Sequence, residues 1–350
     1  MSGPHDPVTA ERSSERGSAG REAQMFQGSM RRRRGRGGEP TVVPDAEFRS
    51  YYGRPVLKAP VWEWKIAAYL FTGGLAAGSS VVAAGADLTG REKLRRAGWL
   101  GALGGLLASL YLLVSDLGRP ERFHHMLRVA KPTSPMSVGT WILTAFGAPA
   151  GLAAVAELVP RRLRRTWPAR LLRRLARPAG LAAAATAPGV ASYTAVLLSH
   201  TAVPGWNEAR DELPFVFTGS AAASGGGLGM LCAPVEEAGP ARVFAAAGAT
   251  AELAAAAVMH RRLGVVAEAH DTGRAGRLRR ASEVATAAGL AGTVLLAGRS
   301  RAAGAASGLA LLAGSALQRF AVFEAGMAST KDPRYVVVPQ RERGAASRGS

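Results

Sequence analysis

The sequence predicts an all-α integral membrane protein with about eight transmembrane helices. Hydrophobic residues make up 48% of the 350 residues, and they are gathered into long blocks with the charged residues between them. Only 6% of the residues are aromatic, whereas alanine and glycine are abundant. Apolar blocks of about 20 residues span a bilayer, and small side chains let helices approach closely in lipid. These observations favour a set of spanning helices over a soluble core.

Eight apolar spans follow one another, and at about 1.5 Å per residue each is long enough to cross roughly 30 Å of hydrocarbon. They cover residues 62–86, 97–115, 138–159, 178–199, 214–233, 241–259, 282–298 and 302–326. An even number of spans places the segments before the first span and after the last span on the same side of the membrane.

Polar segments flank the spans at both ends. Residues 1–58 are rich in serine, glycine and arginine and lack hydrophobic periodicity, which predicts a disordered basic tail. The run Arg31–Arg34 is not followed by the short apolar segment that a secretion signal requires. Residues 331–350 are predicted to form a polar C-terminal tail.

The net charge of +19 is nearly all arginine, and the basic residues lie between the apolar spans. Nucleic-acid binding uses a basic face with stacking aromatic residues, so we expect membrane lipid and no nucleic acid as a partner. The densest short basic segment is 161–178, and the positive-inside rule places such a loop in the cytoplasm. The prediction is a multi-pass protein of the plasma membrane whose segment 115–137 faces the extracytoplasmic side.

Most polar groups other than arginine gather at the membrane face that carries segment 115–137. The predicted topology brings these side chains to the span ends at that face: Glu63, Lys65, Tyr69, Ser115, Asp116, Ser137, Trp141, His200 and His260. Such a concentration at one face indicates a functional site there.

Two carboxyl groups of this set are candidates for proton transfer. Glu63 is predicted one turn inside the first span, and ionisable residues within a span are costly and usually functional. The alternatives for Glu63 are an interfacial position or an ion pair with Lys65 or Arg119. Asp116 lies three residues before Arg119, so a local ion pair and a chemical role are both open.

The histidines and the cysteine disfavour a redox centre in this protein. A b-type haem needs two histidines facing each other across a bundle, but His200 and His260 lie at loop borders. His124 and His125 lie in a loop without further ligands at useful spacing. The single cysteine, Cys232, cannot supply a cysteine-ligated cluster. We therefore expect no haem and no metal in the protein.

Four segments, in order along the sequence, resemble the polysulfide reductase membrane-subunit family, also called NrfD/PsrC. The segment SDLGRPERFHHMLRVAKPTSPMSVGTWILTAFG, which begins at Ser115, is similar to the signature of that family. APVWEWKIAAYLFTGGLAAGSS (59–80) is similar to its first helix, and VLLSHTAVPGWNEARDELPFVFTGSAAASGG (196–226) to its middle region. RFAVFEAGMASTKDPRYVVVPQ (319–340) is similar to its tail. The resemblance covers roughly residues 50–340.

The resemblance implies two four-helix bundles, the first over residues 59–200 with a docking loop at 115–137 and the second over residues 201–330. It implies the membrane anchor of a molybdopterin oxidoreductase complex, such as a formate dehydrogenase-like enzyme. The anchor would bind a quinone, either menaquinone or ubiquinone, and exchange electrons with a docked ferredoxin-like 4Fe-4S subunit. A molybdopterin catalytic subunit would lie beyond that subunit, and the anchor itself would be a quinone-reactive subunit without its own redox centre.

The resemblance also implies the site residues. The expected quinone pocket comprises Glu63, Lys65, Tyr69, Gly73, Gly74, Asp116, Ser137 and Trp141, with Glu63 and Asp116 as the catalytic proton-handling groups. The expected docking residues are Arg119, Arg122, His124, His125, Arg128 and Lys131. The two glycines would let the quinone approach the backbone of the first span. A histidine that some members carry near the start of this span is absent here, so Glu63 or Lys65 would take its part.

Two other functions are open from the residues alone. Glu63, Glu252 and Glu324 would suit an intramembrane carboxylate relay in an ion-translocating or transporter module. Transporter helices are often broken near the middle of the membrane, and the run Gly225–Gly227 is such a position. The remaining alternative is a structural anchor without quinone contact.

Overall fold

The computed structural model of the protein describes residues 55–346, so residues 1–54 of the predicted N-terminal tail lie outside the described part. Within that part the chain is helical and contains no strand. The α-helices are α1 (Trp64–Leu88), α2 (Glu92–Ser115), α3 (Pro135–Leu158), α4 (Trp167–Ser199), α5 (Pro204–Asn207), α6 (Leu213–Cys232), α7 (Gly239–Arg262), α8 (Ala267–Asp271), α9 (Gly273–Leu295), α10 (Arg301–Ser329) and α11 (Arg334–Ala346).

Among the described residues, seven helices are long and apolar enough to cross a membrane: α1, α2, α3, α4, α6, α7 and α10. The prediction of an all-α, multi-pass membrane protein is therefore confirmed. The eighth predicted span corresponds to α9, whose 23 residues reach about 34 Å but begin with four arginines in eight residues. Because of these charges, α9 is not among the seven helices that are apolar enough to cross a membrane. It nevertheless packs against α7 and α10.

Two helices, α4 and α9, begin about ten residues earlier than the sequence predicts. α4 starts at Trp167, so most of the predicted basic loop 161–178 is helical. Pro168 lies in the first turn, where a missing N–H costs nothing, and Pro178 is accommodated inside the helix. α9 starts at Gly273 rather than at residue 282, and Gly273 has a positive φ of 59° that reverses the chain after α8. The predicted polar tail also contains a helix, α11.

The long helices pack in two groups. In the first helix group, α1 and α3 each contact α2 and α4; in the second helix group, α6 and α9 each contact α7 and α10. α6 also contacts α1, α2 and α4, so it joins the two groups. The bundle boundary that we placed between residues 200 and 201 stays a prediction.

Glycines bring α6 into backbone contact with α1. A Cβ atom on Gly78 would overlap the carbonyl group of Ala221, and one on Gly225 would overlap the backbone of Gly78. Close backbone approach of this kind is how small residues pack helices in lipid. α6 runs unbroken through Gly225–Gly227, so the helix break suggested there is wrong.

The helix directions define two ends of the first helix group. The loop face is the end with segment 116–134, where α2 ends and where α1 and α3 begin. The basic face is the end with segment 159–166, where α3 ends and α4 begins. These two faces hold the two cavities that are described below.

Candidate functional site

A cavity of about 640 Å³ opens between α1, α2, α3 and α4 at the loop face. All four helices contribute to its wall, which is formed mainly by apolar side chains, among them Trp62, Leu110, Leu143 and Leu197. Sites for organic ligands typically have volumes of about 300–1,000 Å³ and predominantly apolar walls. The cavity therefore has the size and the character of a site for an apolar organic ring.

The loop that follows α2 covers the cavity. Its central part is a 3-10 helix, Pro120–Leu127, and Phe123, Met126 and Leu127 of this helix line the cavity. Arg122 lies on the same 3-10 helix and is exposed. Three apolar side chains of the loop thus line the cavity, while its basic side chains lie at the surface.

Asp116 supplies the one carboxyl group among the described residues that line the cavity. It caps the C-terminus of α2, where its backbone N–H donates to the carbonyl oxygen of Leu112 at 3.2 Å. Partial burial raises the pKa of the Asp116 carboxyl group. The positive charge of Lys65 opposes this rise and the negative charge of Glu63 adds to it. Asp116 is therefore the carboxyl group of the wall that a ligand in the cavity would meet.

Hydroxyl groups supply the remaining polar contacts of the wall. Tyr69 and Tyr193 both line the cavity, and neither phenol hydroxyl has a hydrogen-bond partner in the described part of the chain. Thr140 and Thr144 also line it, but their hydroxyls donate to the carbonyl oxygens of Met136 and Thr140 within α3. Two phenol donors are thus available to a ligand carbonyl oxygen.

Glu63 lies at the surface, and our prediction that it sits inside the first span is wrong. It precedes α1 as the N-cap residue, and its side chain is 61% exposed. Its carboxylate pairs with the Lys65 ammonium group at 3.3 Å, which was one of the alternatives for this residue. Pro60 and the extended residues after it delay the start of the helix to Trp64, which leaves Glu63 outside. Neither Glu63 nor Lys65 lines the cavity.

The two glycines predicted in the quinone pocket lie at helix contacts instead. Gly73 faces the Ser109 hydroxyl, and a Cβ atom on Gly74 would lie 3.1 Å from Nη2 of Arg319. Both glycines are buried, and neither lines the cavity. The two glycines therefore serve helix packing, and our prediction that they line the quinone pocket is wrong.

Ser137 and Trp141 position the covering loop, whereas we expected them in the pocket. The Ser137 hydroxyl donates to the carbonyl oxygen of Val129 at 2.9 Å and accepts from the backbone N–H of Lys131 at 2.9 Å. The Trp141 indole N–H donates to the same Val129 oxygen at 3.4 Å. These bonds tie the loop to the first turns of α3, and neither side chain lines the cavity.

The predicted docking residues form one exposed surface on the covering loop. Arg119, Arg122, His124, His125, Arg128 and Lys131 are all exposed. The rings of His124 and His125 meet edge to face with their centroids 4.4 Å apart. Within the described residues Arg119 forms no ion pair with Asp116, so the basic groups stay available to a partner.

The cavity and its covering loop lie in the part of the sequence that matches a known family. Residues 56–267 match the family described as polysulphide reductase, NrfD, which is more than half of the chain. The chain belongs to the NrfD polysulphide reductase family. The matched region includes α1–α7 and every residue that lines the cavity, which confirms the resemblance found in the sequence.

One curated relative can be compared directly. The C subunit of polysulfide reductase from Wolinella succinogenes is 32% identical over 152 residues, which make up 40% of this protein and 48% of the relative. The match thus spans about half the length of this curated relative.

Several cavity residues were missed by sequence reasoning. Phe123, Met126 and Leu127 carry a recognisable signal, because their i, i+3, i+4 spacing places them on one side of a helical turn. Tyr193 gave a weaker signal, as an aromatic residue in the alanine-rich α4. Thr140 and Thr144 gave no signal that separates them from lipid-facing residues.

Proposed function

We propose that this protein is the membrane subunit of an oxidoreductase complex and that the cavity between α1 and α4 binds a quinone or quinol. The observation that carries the proposal is an apolar cavity of about 640 Å³ with one carboxyl group in its wall and a basic loop over it. The family match to polysulphide reductase, NrfD, supports the same role.

The cavity wall suits quinol oxidation, which releases two electrons and two protons to give the quinone. Trp62 and Phe123 offer flat aromatic surfaces, and the hydroxyls of Tyr69 and Tyr193 can donate to the two quinone oxygens. Asp116 accepts one of the protons, since its raised pKa moves its proton affinity towards the working pH. The second proton passes to water at the loop face, and the two electrons pass to the iron–sulfur partner. The reverse steps serve quinone reduction.

The electron partner in this proposal is a ferredoxin-like 4Fe-4S subunit that docks on the covering loop. The exposed arginines and Lys131 would attract an acidic surface, and the cavity lies directly behind them. A molybdopterin catalytic subunit, in the manner of a formate dehydrogenase, would complete the complex. The name of the relative, which designates one lettered component of polysulfide reductase, supports a complex of several subunits.

The test is purification of the full-length protein from its native membrane in a mild detergent, followed by mass spectrometry and a quinol assay. We expect an iron–sulfur protein and a molybdopterin protein to copurify, and added quinol to bleach the iron–sulfur absorbance. A protein that purifies alone even after crosslinking and binds no quinol analogue would contradict the proposal.

A second candidate, proton movement through the second helix group, is favoured by a buried pair of ionisable residues. Glu252 and Arg319 are 2% and 0% exposed. Arg319 donates to the carbonyl oxygen of Phe217 at 2.8 Å, but its Nε and Nη1 and the Oε2 of Glu252 have no partner in the described part of the chain. Buried, unpartnered ionisable atoms are expensive and typical of ion pathways.

The wider relay suggested by the sequence is not continuous. Glu63 pairs with Lys65 at the surface, and Glu324 pairs with Arg274 at 3.3 Å. Only Glu252 of the three is deeply buried. Proton uptake into liposomes that contain the complex tests the candidate: loss of uptake in Glu252→Gln with normal quinol oxidation would support it, and unchanged uptake would exclude it.

A further inference from the structure

The basic face of the first helix group carries a second cavity, of about 350 Å³. The opposite ends of the same four helices form its wall: the end of α1, the start of α2, the end of α3 and the start of α4. None of the quinone-site residues belongs to this wall. The cavity is therefore independent of the proposed function.

The wall is strongly basic. It contains seven cationic side chains and three carboxyl groups, which leaves an excess of four positive charges. The cations are Lys93, Arg95, Arg96, Arg161, Arg164, Arg173 and Arg177, and the carboxyl groups are Asp87, Glu92 and Glu157.

Two of the three carboxylates are already bound by two of the arginines. Arg95 Nε lies 2.7 Å from Glu157 Oε1, and Arg95 Nη1 lies 3.3 Å from Asp87 Oδ1. Arg177 Nε lies 3.3 Å from the second Asp87 oxygen. In the described part of the chain, no carboxylate lies within ion-pair distance of the other five cations: Lys93, Arg96, Arg161, Arg164 and Arg173.

Two of the five cations without an ion pair lie near the start of a helix. Lys93 is the second residue of α2 and Arg96 is the fifth. The N-terminal end of a helix carries a partial positive charge, which disfavours cations and favours anions. An anion in the cavity would remove this repulsion and would satisfy the guanidinium donors, which match phosphate oxygens in pairs.

The surroundings of the cavity are those of a membrane boundary. α4 has 33 residues and reaches about 50 Å, well beyond the roughly 30 Å of a hydrocarbon core. All four arginines of α4 lie between Trp167 and Arg177, so we infer that this is the end that reaches the level of the lipid headgroups. Leu181 lines the cavity, and Trp167, Leu171 and Leu175 on the same stretch of helix are exposed. Interfacial tryptophan and exposed leucines suit contact with acyl chains.

We propose that the cavity at the basic face binds the phosphate headgroup of an anionic phospholipid, with the acyl chains along the exposed leucines of α4. The arginines would bind the phosphate oxygens of the headgroup, and they could bind a free phosphate ion in the same way. The neighbouring leucines favour the lipid as the source.

The test measures lipid binding to the full-length protein in detergent by native mass spectrometry, with phosphatidylglycerol, phosphatidylcholine and inorganic phosphate as separate additions. One variant combines Arg161→Gln, Arg164→Gln and Arg173→Gln, which removes three cations of the cavity wall. The matched control combines Arg162→Gln, Arg165→Gln and Arg174→Gln, which removes three exposed arginines of the same segment that do not line the cavity. Size-exclusion chromatography and the helical circular dichroism signal check that both variants are folded.

We expect phosphatidylglycerol to bind the unmodified protein at least about tenfold more tightly than phosphatidylcholine. Both lipids carry the phosphate, but the choline group adds a positive charge that the excess of cations in the wall repels. The cavity variant loses that preference and the control variant keeps it. Equal losses in both variants would show a diffuse charge effect and overturn the site.

Competition by inorganic phosphate separates the two sources. Displacement of the lipid only at phosphate concentrations far above that of the lipid supports a lipid site. Tight binding of phosphate alone, without preference for the lipid, would overturn the lipid assignment. Should the triple cavity variant not fold, Arg173→Gln against Arg174→Gln makes the same comparison with one charge each.

Discussion

The two helix groups differ in the space that their side chains leave between the helices. In the first group, large side chains such as Trp62 and Leu143 stand between helix ends and leave a cavity of about 640 Å³. In the second group, glycines bring α6 into close contact with its neighbours, as at Gly227 and Gly308, and the buried Glu252 lies within that packing. The bulky residues at the loop face surround a space for a ligand, whereas the glycines of α6 let helix backbones meet and leave no such space between them. Quinone chemistry is accordingly expected in the first group.

The largest expected effect separates the two carboxyl groups, Asp116 and Glu252. Asp116→Asn should lower quinol oxidation by about 10²-fold or more, which is the usual size of a lost acid–base group, with little change in the affinity for a quinol analogue. Glu252→Gln should leave the rate within about threefold, since Glu252 does not line the cavity. Steady-state quinol oxidation by the purified complex measures both.

The pH dependence sharpens that comparison. Quinol oxidation needs the carboxylate form of Asp116, so the rate should fall as the pH falls through its raised pKa. This acid limb should be absent in Asp116→Asn and present in Glu252→Gln. Because a raised pKa means that folding disfavours the charged form, Asp116→Asn should not lower the stability at pH 7. A loss of stability there would mean that Asp116 is structural.

The next effect tests the cavity by filling it. Thr144 lines the cavity and Thr250 is exposed on α7, and each hydroxyl donates to the carbonyl oxygen four residues before it. Thr144→Trp should weaken binding of a quinol analogue by about 10- to 100-fold, which corresponds to an overpacking cost of about 1–3 kcal/mol. Thr250→Trp should leave it unchanged. Fluorescence titration measures the affinity, and equal effects would contradict the position of the site.

A smaller effect concerns the covering loop. Replacing Arg119, Arg122 and Arg128 together by glutamate should weaken binding of the iron–sulfur partner by about tenfold, mostly through slower association at low salt. Arg261, Arg277 and Arg280 are basic residues of the second helix group that lie outside the loop, and they serve as the matched control. If the control variant weakens the partner as much, docking does not depend on the loop.

The smallest effect is expected at Glu63. Its carboxylate is exposed and pairs with Lys65, so Glu63→Gln should change quinol oxidation by no more than about twofold. Because the charge of Glu63 raises the pKa of Asp116, the acid limb should move slightly to lower pH. A loss as large as that of Asp116→Asn would restore Glu63 as the proton-handling group.

The sequence predicted the fold class because apolar blocks of sufficient length determine which segments are spanning helices. It predicted that Asp116 and Tyr69 lie at the loop face of the first helix group, and both line the cavity there. It misplaced Glu63 because one residue at a helix start decides between interior and surface.

The sequence could not predict which face of each helix turns towards the cavity, and the reason is physical. In lipid, the outside of a helix is as apolar as its inside, so periodicity does not show which face turns inward. Gly73 and Gly74 were therefore assigned to the pocket although they face Ser109 and Arg319, and Tyr193 was overlooked. The covering loop was different, since Phe123, Met126 and Leu127 follow the i, i+3, i+4 spacing of one side of a helical turn, although sequence reasoning overlooked it.

The most direct test of the account is a cryo-electron microscopy structure of the complex with a bound quinone analogue. The account predicts density for the ring in the cavity of the first helix group, with its oxygens near Tyr69, Tyr193 or Asp116. Density in the second helix group beside Glu252, or an occupied site that none of these three residues contacts, would contradict it.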